Sequence, residues 1–499
     1  MFVAAEAAPY AAIGGLSQVL YFLPKALQKQ GVEVVVFVPK YGTINEKKYK
    51  LELFHKNLRV PTGNTTGVTE LICNVKVKWG NRREPTVYFL ENMEYYEQRA
   101  NVYGYGDDHI RFAILSRAAL EFARTGKVKP NVIHVNDWHT GYLPNYLRTV
   151  YAEDPVLKSV STVFTIHNLR SQGLYDFRFA SPMNFDDGKS RPLGMFDPNM
   201  RKQNPLKRGI MYADLVNTVS ETYAREIITP EYGEGLHELL KELRTKVFGV
   251  LNGLDYTEFD PATDKIIKRN FSLRTPLSRA ENKKELQKIF QLKEDLSLPV
   301  IGMVGRLDDQ KGLDLVSAIL PELLEEYEMQ FVIMGTGEPR YREFFQKLEE
   351  KYPGRVGCHL MANWELPRRI FAGADMLLLP SRFEPGGIVV IEGMRYGAVP
   401  IVRATGGLAD IVSDYDPEKG VGNGFTFHTY SKLALFGAIV RALQVFLNKK
   451  AWNQMVYRAL REDFSWEQAA IKYLDLYERA IEFRRDRQNP VQSIMRKEE

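Results

Sequence analysis

Arg306 and Lys311 lie in Gly305-Arg306-Leu307-Asp308-Asp309-Gln310-Lys311-Gly312, directly after the apolar run 300–304. An arginine offers phosphate oxygens a planar fork and a lysine a compact point charge. Together they can neutralise a diphosphate as negative charge grows on it during bond cleavage. The plainer reading is a solvated surface pair. A second constellation, Pro380-Ser381-Arg382-Phe383-Glu384-Pro385-Gly386-Gly387, separates the apolar run 374–379 from a helical pattern at 388–396. Gly386 and Gly387 would present backbone N–H groups at a helix N-terminus, a natural seat for phosphate oxygens. Glu384 and Glu392 flank that seat. A site for both an anion and hydroxyl-rich groups, as a nucleotide-sugar demands, has this make-up.

The first half of the chain carries polar groups of another kind. Gly14-Gly15-Leu16 follows the first apolar run and precedes the first helical pattern. Glycines there allow a tight turn and close approach of backbone to a ligand, or make an ordinary strand-to-helix turn. No G-x-G-x-x-G fingerprint is present at this position. In His134-Val135-Asn136-Asp137-Trp138-His139, His134 is one apolar position removed and can be structural. Asp137 and His139 are the better candidates to accept from and donate to sugar hydroxyls. Thr165-Ile166-His167-Asn168 repeats the arrangement, and a neutral imidazole at His167 can donate to a hydroxyl without adding charge; a satisfied core histidine is the alternative. No further acid or histidine stands at a supporting interval, so no metal is expected. The only D-x-D spacing, Asp414-Tyr415-Asp416, sits in a polar turn and reads as structural. Gly335-Thr336-Gly337 and Thr405-Gly406-Gly407-Leu408 are two further backbone nests after apolar runs.

These motifs need a scaffold that delivers them to strand ends. Short apolar runs alternate with helical patterns, which argues α/β with parallel sheets. The first series of strands is predicted at 2–5, 32–38, 86–90, 132–135, 160–166 and 215–219, with a helix at 17–30 interrupted or kinked by Pro24. The second is predicted at 300–304, 330–334, 356–360, 374–379 and 399–402, with helices at 314–327 and 340–351. A polar helix at 278–295 lies near the junction, and the domain boundary falls within 255–297. The expected division is 1–255, 256–464 and a C-terminal segment 465–499. Its amphipathic part, 465–487, could end the second domain or cross back to the first. Two doubly wound domains imply a cleft at the carboxyl ends of both sheets. The segment 170–208 holds Pro182, Pro192, Pro198 and Pro205 and reads as a shaped or mobile loop over a site. The last dozen residues are charged and expected to fray.

With 499 residues the chain is too long for one core, and 44% hydrophobic residues supply more than one. Its 26 Tyr and 27 Phe can pack cores or form platforms for sugar rings. The net charge of +5 is spread among acids, without a basic arm or basic–aromatic stripe, which speaks against a nucleic-acid partner. Two cysteines, Cys73 and Cys358, without metal-ligand spacing point to a reducing compartment. The apolar N-terminus carries Glu6, Pro9 and the Gly14-Gly15 pair and lacks a basic region, so it does not read as a signal peptide. No apolar run reaches membrane-spanning length. The expectation is a cytoplasmic protein with no membrane partner and no cofactor; oligomeric state is left open.

Taken together, the motifs resemble those of the glycogen and bacterial or plastid starch synthases, retaining glucosyltransferases with two Rossmann-like domains (GT-B type). The matching residues are Gly14-Gly15-Leu16, Asn136-Asp137-Trp138-His139-Thr140, His167-Asn168, Asn252-Gly253-Leu254-Asp255, Gly305-Arg306-Leu307 with Gln310-Lys311-Gly312, the 380–387 run and Thr405-Gly406-Gly407-Leu408-Ala409-Asp410. The resemblance implies glucose transfer from a nucleotide-glucose, usually ADP-glucose, to the non-reducing end of an α-1,4-glucan. It implies that Arg306 and Lys311 bind the diphosphate, Glu384 supports the oxocarbenium-like centre or its hydroxyls, and His167 meets the donor sugar near C1. It places Asp137 by the sugar or acceptor, Gly386 and Gly387 by the donor, and Glu392 on the ribose as the second acid of Glu-x7-Glu. Gly14, Gly15, His139, Asn252, Gly335, Thr405, Gly406 and Gly407 join the donor- and substrate-binding set. It also implies that the last helix crosses back to the first domain. Three positions depart from the family pattern: Ala12 replaces a lysine, Gly386 a cysteine, and Ala362, near Trp364, an aromatic that stacks adenine. A UDP-glucose-using or dual-donor synthase is therefore the neighbouring reading. A related transferase with a small acceptor and a non-catalytic glucan-binding scaffold are the others.

Overall fold

A computed structural model describes residues 1–174 and 186–488. Pro182 and the charged tail beyond 488 lie outside the described residues. The chain divides into two compact units. Met1–Val219 and Ala224–Val250, with the segment from Trp466, form the first; Ser220–Tyr223 and Leu251–Ser465 form the second. Among the described residues no helix is long and apolar enough to cross a membrane.

The first unit is built on nine strands: β1 (Phe2–Val3), β2 (Val35–Pro39), β3 (Glu52–Pro61), β4 (Glu70–Lys78), β5 (Thr86–Glu91), β6 (Val132–Asn136), β7 (Ser161–Ile166), β8 (Leu215–Thr218) and β9 (Val247–Gly249). Their order is β3-β4-β5-β2-β1-β6-β7-β8-β9. From β5 to β9 every pair is parallel. β3 and β4 extend the sheet antiparallel. These two, and the short β9, are additional to the predicted strands. Along β4, Cys73, Val75 and Val77 are buried while alternate residues are half-exposed or exposed. That period of two marks a strand covered on one face, whereas the predicted strands were continuous apolar runs, the mark of burial on both.

The helix Gly15–Lys29 runs through Pro24 and buries Leu16, Val19, Leu20, Leu23 and Leu27, a stripe at helical spacing. The C-terminal helix Trp466–Gln488 belongs to the first unit, packs on helix Gly15–Lys29 and strand β7, and buries Tyr473, Leu476 and Ala480. Its end is held by Arg487, 3.5 Å from the buried carboxylate of Asp214, and by Arg484, which donates to the Lys158 carbonyl at 3.0 Å. The predicted loop 170–208 is more ordered at its C-terminal end than expected, because Pro205 opens a helix, Pro205–Tyr212, capped by Asn204. Arg208 on that helix is fully buried and pairs with Asp186 at 2.7 Å.

The second unit carries β10 (Val300–Val304), β11 (Gln330–Met334), β12 (Val356–His359), β13 (Met376–Leu379) and β14 (Val399–Arg403), close to the predicted bounds, and a short sixth strand, β15 (Phe425–Phe427), that was not predicted. All pairs are parallel, in the order β12-β11-β10-β13-β14-β15. Counted within the unit this is 3-2-1-4-5-6, the dinucleotide-fold arrangement. Ile301, Phe331, Leu377 and Ile401 from four adjacent strands lie in one apolar core. The junction helix is shorter than predicted, Arg279–Ile289, and Gln291 turns the chain with φ 53°.

Both units are thus Rossmann-like. In such sheets the strand order reverses at one point, and ligands bind beyond the carboxyl ends there. The reversals lie at β1/β6 in the first unit and β10/β13 in the second. The segments just beyond them carry Glu6 to Gly15, Asp137, Arg306 to Lys311, and Ser381 to Gly387.

Candidate active site

In the second unit, the segment after β10 makes a 3-10 turn, Asp309–Lys311, and then enters the helix Leu313–Glu326. The Asp308 side chain caps that turn by accepting the Lys311 amide. This aims the Lys311 side chain across the reversal point, where Nζ lies 2.5 Å from Glu384 Oε2. The Ser381 hydroxyl donates to the same oxygen at 3.1 Å. Oε2 is therefore occupied twice, and among the described residues Oε1 accepts no hydrogen bond. Arg306 is largely exposed; its guanidinium lies 3.3 Å from Asp308 and donates to Gln310 Oε1 at 2.7 Å.

The main chain around Glu384 is pinned from β14. Arg403 Nη1 donates to the Arg382 carbonyl at 2.5 Å, and the Gly407 amide to the Glu384 carbonyl at 2.9 Å. A side chain at Gly407 would stand 2.3 Å from the Gly386 carbonyl oxygen, so only glycine lets these backbones meet. Gly387, with φ 69°, caps the helix Ile388–Arg395. Thr405 is buried with its amide on the Arg403 carbonyl, and Gly406 begins the helix Gly406–Ile411. The Gly335 amide donates to the His359 carbonyl at 3.0 Å, and its missing side chain admits the Gly305 carbonyl. Gly335 thereby joins two strand-end loops. Asn252 is buried, and its Oδ1 has no partner among the described residues.

Glu392 sits one turn further along the helix that Gly387 caps. Burial pushes its carboxyl up to about 8 against the pull of the Arg368 guanidinium. Arg368 is itself paired with Glu258 at 2.7 Å. Asp414 of the D-x-D spacing is held by Arg441 at 2.8 Å, in keeping with a structural role.

In the first unit, β6 delivers Asp137 in a strained backbone, φ 54° and ψ −176°, a region nearly reserved for glycine. Its Oδ1 accepts the His167 amide at 2.8 Å, and the Asn168 amide also points to the carboxylate. Burial raises this carboxyl to about 7, and the neighbouring Glu6 adds to the effect. His167 Nε2 lies 3.0 Å from Asn136 Oδ1, while the Asn136 amide nitrogen donates to the Val3 carbonyl. That orientation makes Nε2 the protonated nitrogen and leaves the Nδ1 lone pair available. Burial lowers the imidazole to about 4, so it is neutral at physiological pH.

His139 behaves differently from the sequence expectation of a ligand-facing group. Its ring is packed among Tyr103, Phe112 and Trp138, with centroids 4.8, 4.8 and 4.1 Å away. Burial lowers it to about 3, and its Nδ1 has no partner among the described residues. His134 is structural: its ring nitrogens meet Tyr477 at 2.8 Å and Thr165 at 2.7 Å.

Glu6 is the residue that sequence reasoning missed. It is buried, and its Oε2 accepts the amides of Ile13 at 2.8 Å and Gly14 at 3.1 Å. It therefore shapes the Gly14-Gly15 turn, where no heavy atom stands within 4 Å of a side chain built on Gly15. Burial raises the Glu6 carboxyl, partly offset by those amides and by Tyr103. A lone acid in a small apolar stretch just after a strand was the available signal. Elsewhere, Glu46, Glu91 and Glu97 bring three carboxylates together, but Lys40 and Lys76 already fill that cluster with ammonium groups.

Residues 1–242 match the family model described as starch synthase catalytic domain, and 284–459 that of glycosyl transferases group 1. The chain is 41% identical over 480 residues to a glycogen synthase of Thermosipho melanesiensis, covering 95% of this chain and 98% of that protein. It is 39% identical over 484 residues to a glycogen synthase of Geotalea daltonii, covering 96% and 98%. Among solved structures, the catalytic domain of starch synthase IV from Arabidopsis thaliana, bound to ADP and acarbose, superposes with a TM-score of 0.81 at 31% identity, covering 96% of this chain and 99% of that one. Sucrose-phosphate synthase from Thermosynechococcus elongatus shares the fold, with a TM-score of 0.55 at 18% identity. With strand-end loops of this composition and relatives alike over nearly its whole length, the chain belongs to the glycogen and starch synthase family of GT-B glycosyltransferases.

Proposed function

We propose that this glycosyltransferase moves glucose from ADP-glucose to the non-reducing end of an α-1,4-glucan with retention of anomeric configuration. The observation that carries the reading is the Lys311–Glu384 pair at 2.5 Å beside Arg306, at the reversal point of the second sheet. In this reading Arg306 and Lys311 hold the diphosphate and stabilise the departing nucleotide. The free Oε1 of Glu384 takes a glucose hydroxyl or supports the electron-poor C1, while Oε2 stays on Lys311 and Ser381. Gly386, Gly387, Gly406 and Gly407 shape the donor loops, Thr405 and Gly335 brace them, and Glu392 and Asn252 serve the nucleotide.

The first unit supplies hydrogen-bonding partners, with His167 neutral. His167 contacts the donor sugar near C1, Asp137 accepts from sugar or acceptor hydroxyls, and Gly14 and Gly15 give backbone close to the ligand. His139 supports them from its aromatic surroundings. Bond exchange occurs on one face of the sugar: the acceptor oxygen bonds to C1 as the C1–O(phosphate) bond breaks, and the leaving phosphate takes the acceptor proton. No metal is needed where two permanent cations meet the diphosphate. Free cysteines and the nucleotide-sugar donor support a cytoplasmic enzyme.

ADP in the related Arabidopsis structure supports the adenine donor. UDP-glucose is the second reading, favoured by Ala12 in place of the family lysine and by Ala362 beside the exposed Trp364. A panel of ADP-, UDP- and GDP-glucose with glycogen as acceptor tests both, with the anomer of the new linkage read by NMR. ADP-glucose should label the polymer fastest and give an α-linkage. If no donor labels the polymer, the synthase reading fails.

A further inference from the structure

We propose that Gln310 is a positioning residue that orients Arg306 toward the donor diphosphate and ties it to the loop bearing Glu384. The inference rests on the transferase reading above and adds a residue through which two strand-end loops act as one. Gln310 is nine-tenths buried within the turn Asp309–Lys311. Its Oε1 accepts from Arg306 Nη2 at 2.7 Å. Its main-chain carbonyl accepts the Arg382 amide at 2.8 Å, and its Nε2 faces the Phe383 carbonyl at 3.4 Å. The next residue, Lys311, reaches Glu384 itself. One residue thus touches the arginine with its side-chain oxygen and the Glu384 loop with its main-chain carbonyl and side-chain nitrogen.

The chemistry explains why an amide suits the position. Arg306 is 64% exposed at its side chain, so without an anchor its long stem would sample many rotamers. Asp308 already draws on Nη1. A neutral oxygen on Nη2 fixes the guanidinium plane without adding a second anion to Asp308, whereas a second carboxylate there would compete with phosphate for the guanidinium. The same side chain, held between the arginine and Phe383, makes Arg306 placement depend on the position of the Glu384 loop.

The test is titration of ADP, then UDP, into wild type, Gln310→Met, Arg306→Ala and the double variant, with thermal melting as a check on folding. Methionine keeps the length and removes both polar atoms. Gln310→Met should weaken the preferred diphosphate about tenfold, the loss of one charge-assisted hydrogen bond. In the Arg306→Ala background the same substitution should weaken it by less than about twofold, because the arginine it acts through is gone. The donor KM should rise about tenfold while the KM for glycogen stays constant. Equal losses in both backgrounds, or unchanged affinity in Gln310→Met, would overturn the inference and leave the transferase reading standing. If wild type binds neither nucleotide, both fall. Should the methionine variant melt early, Gln310→Glu carries the test. It retains shape and an acceptor, cancels the Arg306 charge, and should weaken the diphosphate at least about tenfold; undiminished binding overturns the proposal.

Discussion

The strain at Asp137 gives an outcome that ordinary truncation logic would not. Both Asp137→Ala and Asp137→Gly remove the carboxylate that accepts the His167 and Asn168 amides. Each buried amide left unpaired costs about 1–3 kcal/mol, equally in the two variants. They differ in the backbone. At φ 54° and ψ −176° a side-chain-bearing residue stores about 1–3 kcal/mol, which alanine retains and glycine releases. Glycine returns about 0.5–1 kcal/mol of that through its greater freedom when unfolded. The net expectation is a glycine variant more stable than the alanine variant by about 1 kcal/mol, although glycine is usually the more damaging change. In a unit of this size that is about 2 °C in melting temperature. Scanning calorimetry of the two proteins reads it directly, and both should be poor transferases. A glycine variant that melts at or below the alanine variant would show that Asp137 is not held under strain, and the idea that His167 and Asn168 hold it there would go with it.

Lys311→Ala should lower turnover at least about a hundredfold, the usual scale for a group that meets developing charge, with melting shifted by only a few degrees; turnover within a few-fold of wild type would remove Lys311 from the reaction. Ser381→Ala deletes one of the two donors on Glu384 Oε2. About 1 kcal/mol of lost orientation corresponds to roughly a fivefold fall in kcat, and an unchanged kcat would leave Ser381 as mere packing. The pH response of stability has a defined sign at His167, whose folded value is about 4 against about 6.5 unfolded. The folded state then binds fewer protons, so the stability this group contributes is full above about pH 6.5 and is lost as pH falls toward 4. His167→Gln should flatten that part of the melting-temperature profile; an equally steep profile in the variant would contradict a buried neutral imidazole.

Parallel strands covered on both faces write themselves as unbroken apolar runs, which is why β10, β11 and β13 were legible to within two residues. β3 and β4 were not, because a sheet edge with one open face alternates polar with apolar. The loops bearing Arg306, Lys311 and Glu384 were legible for a related reason: charged and glycine-rich residues stop each apolar run. What no linear pattern discloses is pairing across the reversal point. Lys311 and Glu384 are distant in sequence, and only strand order decides that the ammonium meets Oε2. The aromatic box around His139 was hidden similarly, since Tyr103 and Phe112 come from separate segments. Glu6 escaped because a single acid in an apolar stretch is ambiguous until its amide partners, Ile13 and Gly14, are placed around it.

The titratable groups at the strand ends of the two units differ in kind. At the strand ends of the first unit burial works against ionisation: Asp137 is raised to about 7, Glu6 is raised, and His167 and His139 are lowered to about 4 and about 3. Of these, His139 is packed among aromatic rings and Glu6 holds the Ile13 and Gly14 amides, which leaves His167 and Asp137 as the hydrogen-bonding groups that the proposed reading turns to sugar hydroxyls. The glycine turn there carries Ala12 rather than a lysine, so it adds no cation. At the strand ends of the second unit Lys311 is held by one oxygen of Glu384, whose other oxygen accepts no hydrogen bond among the described residues, and the Arg306 guanidinium is largely exposed. A diphosphate leaving group gains from fixed positive charge in proportion to the charge it develops, whereas a sugar hydroxyl would gain nothing. Adding a cation to the first unit, as Ala12→Lys would, should therefore act on nucleotide affinity and leave the KM for glycogen unmoved. An effect on glycogen alone would assign the glycine turn to the acceptor instead.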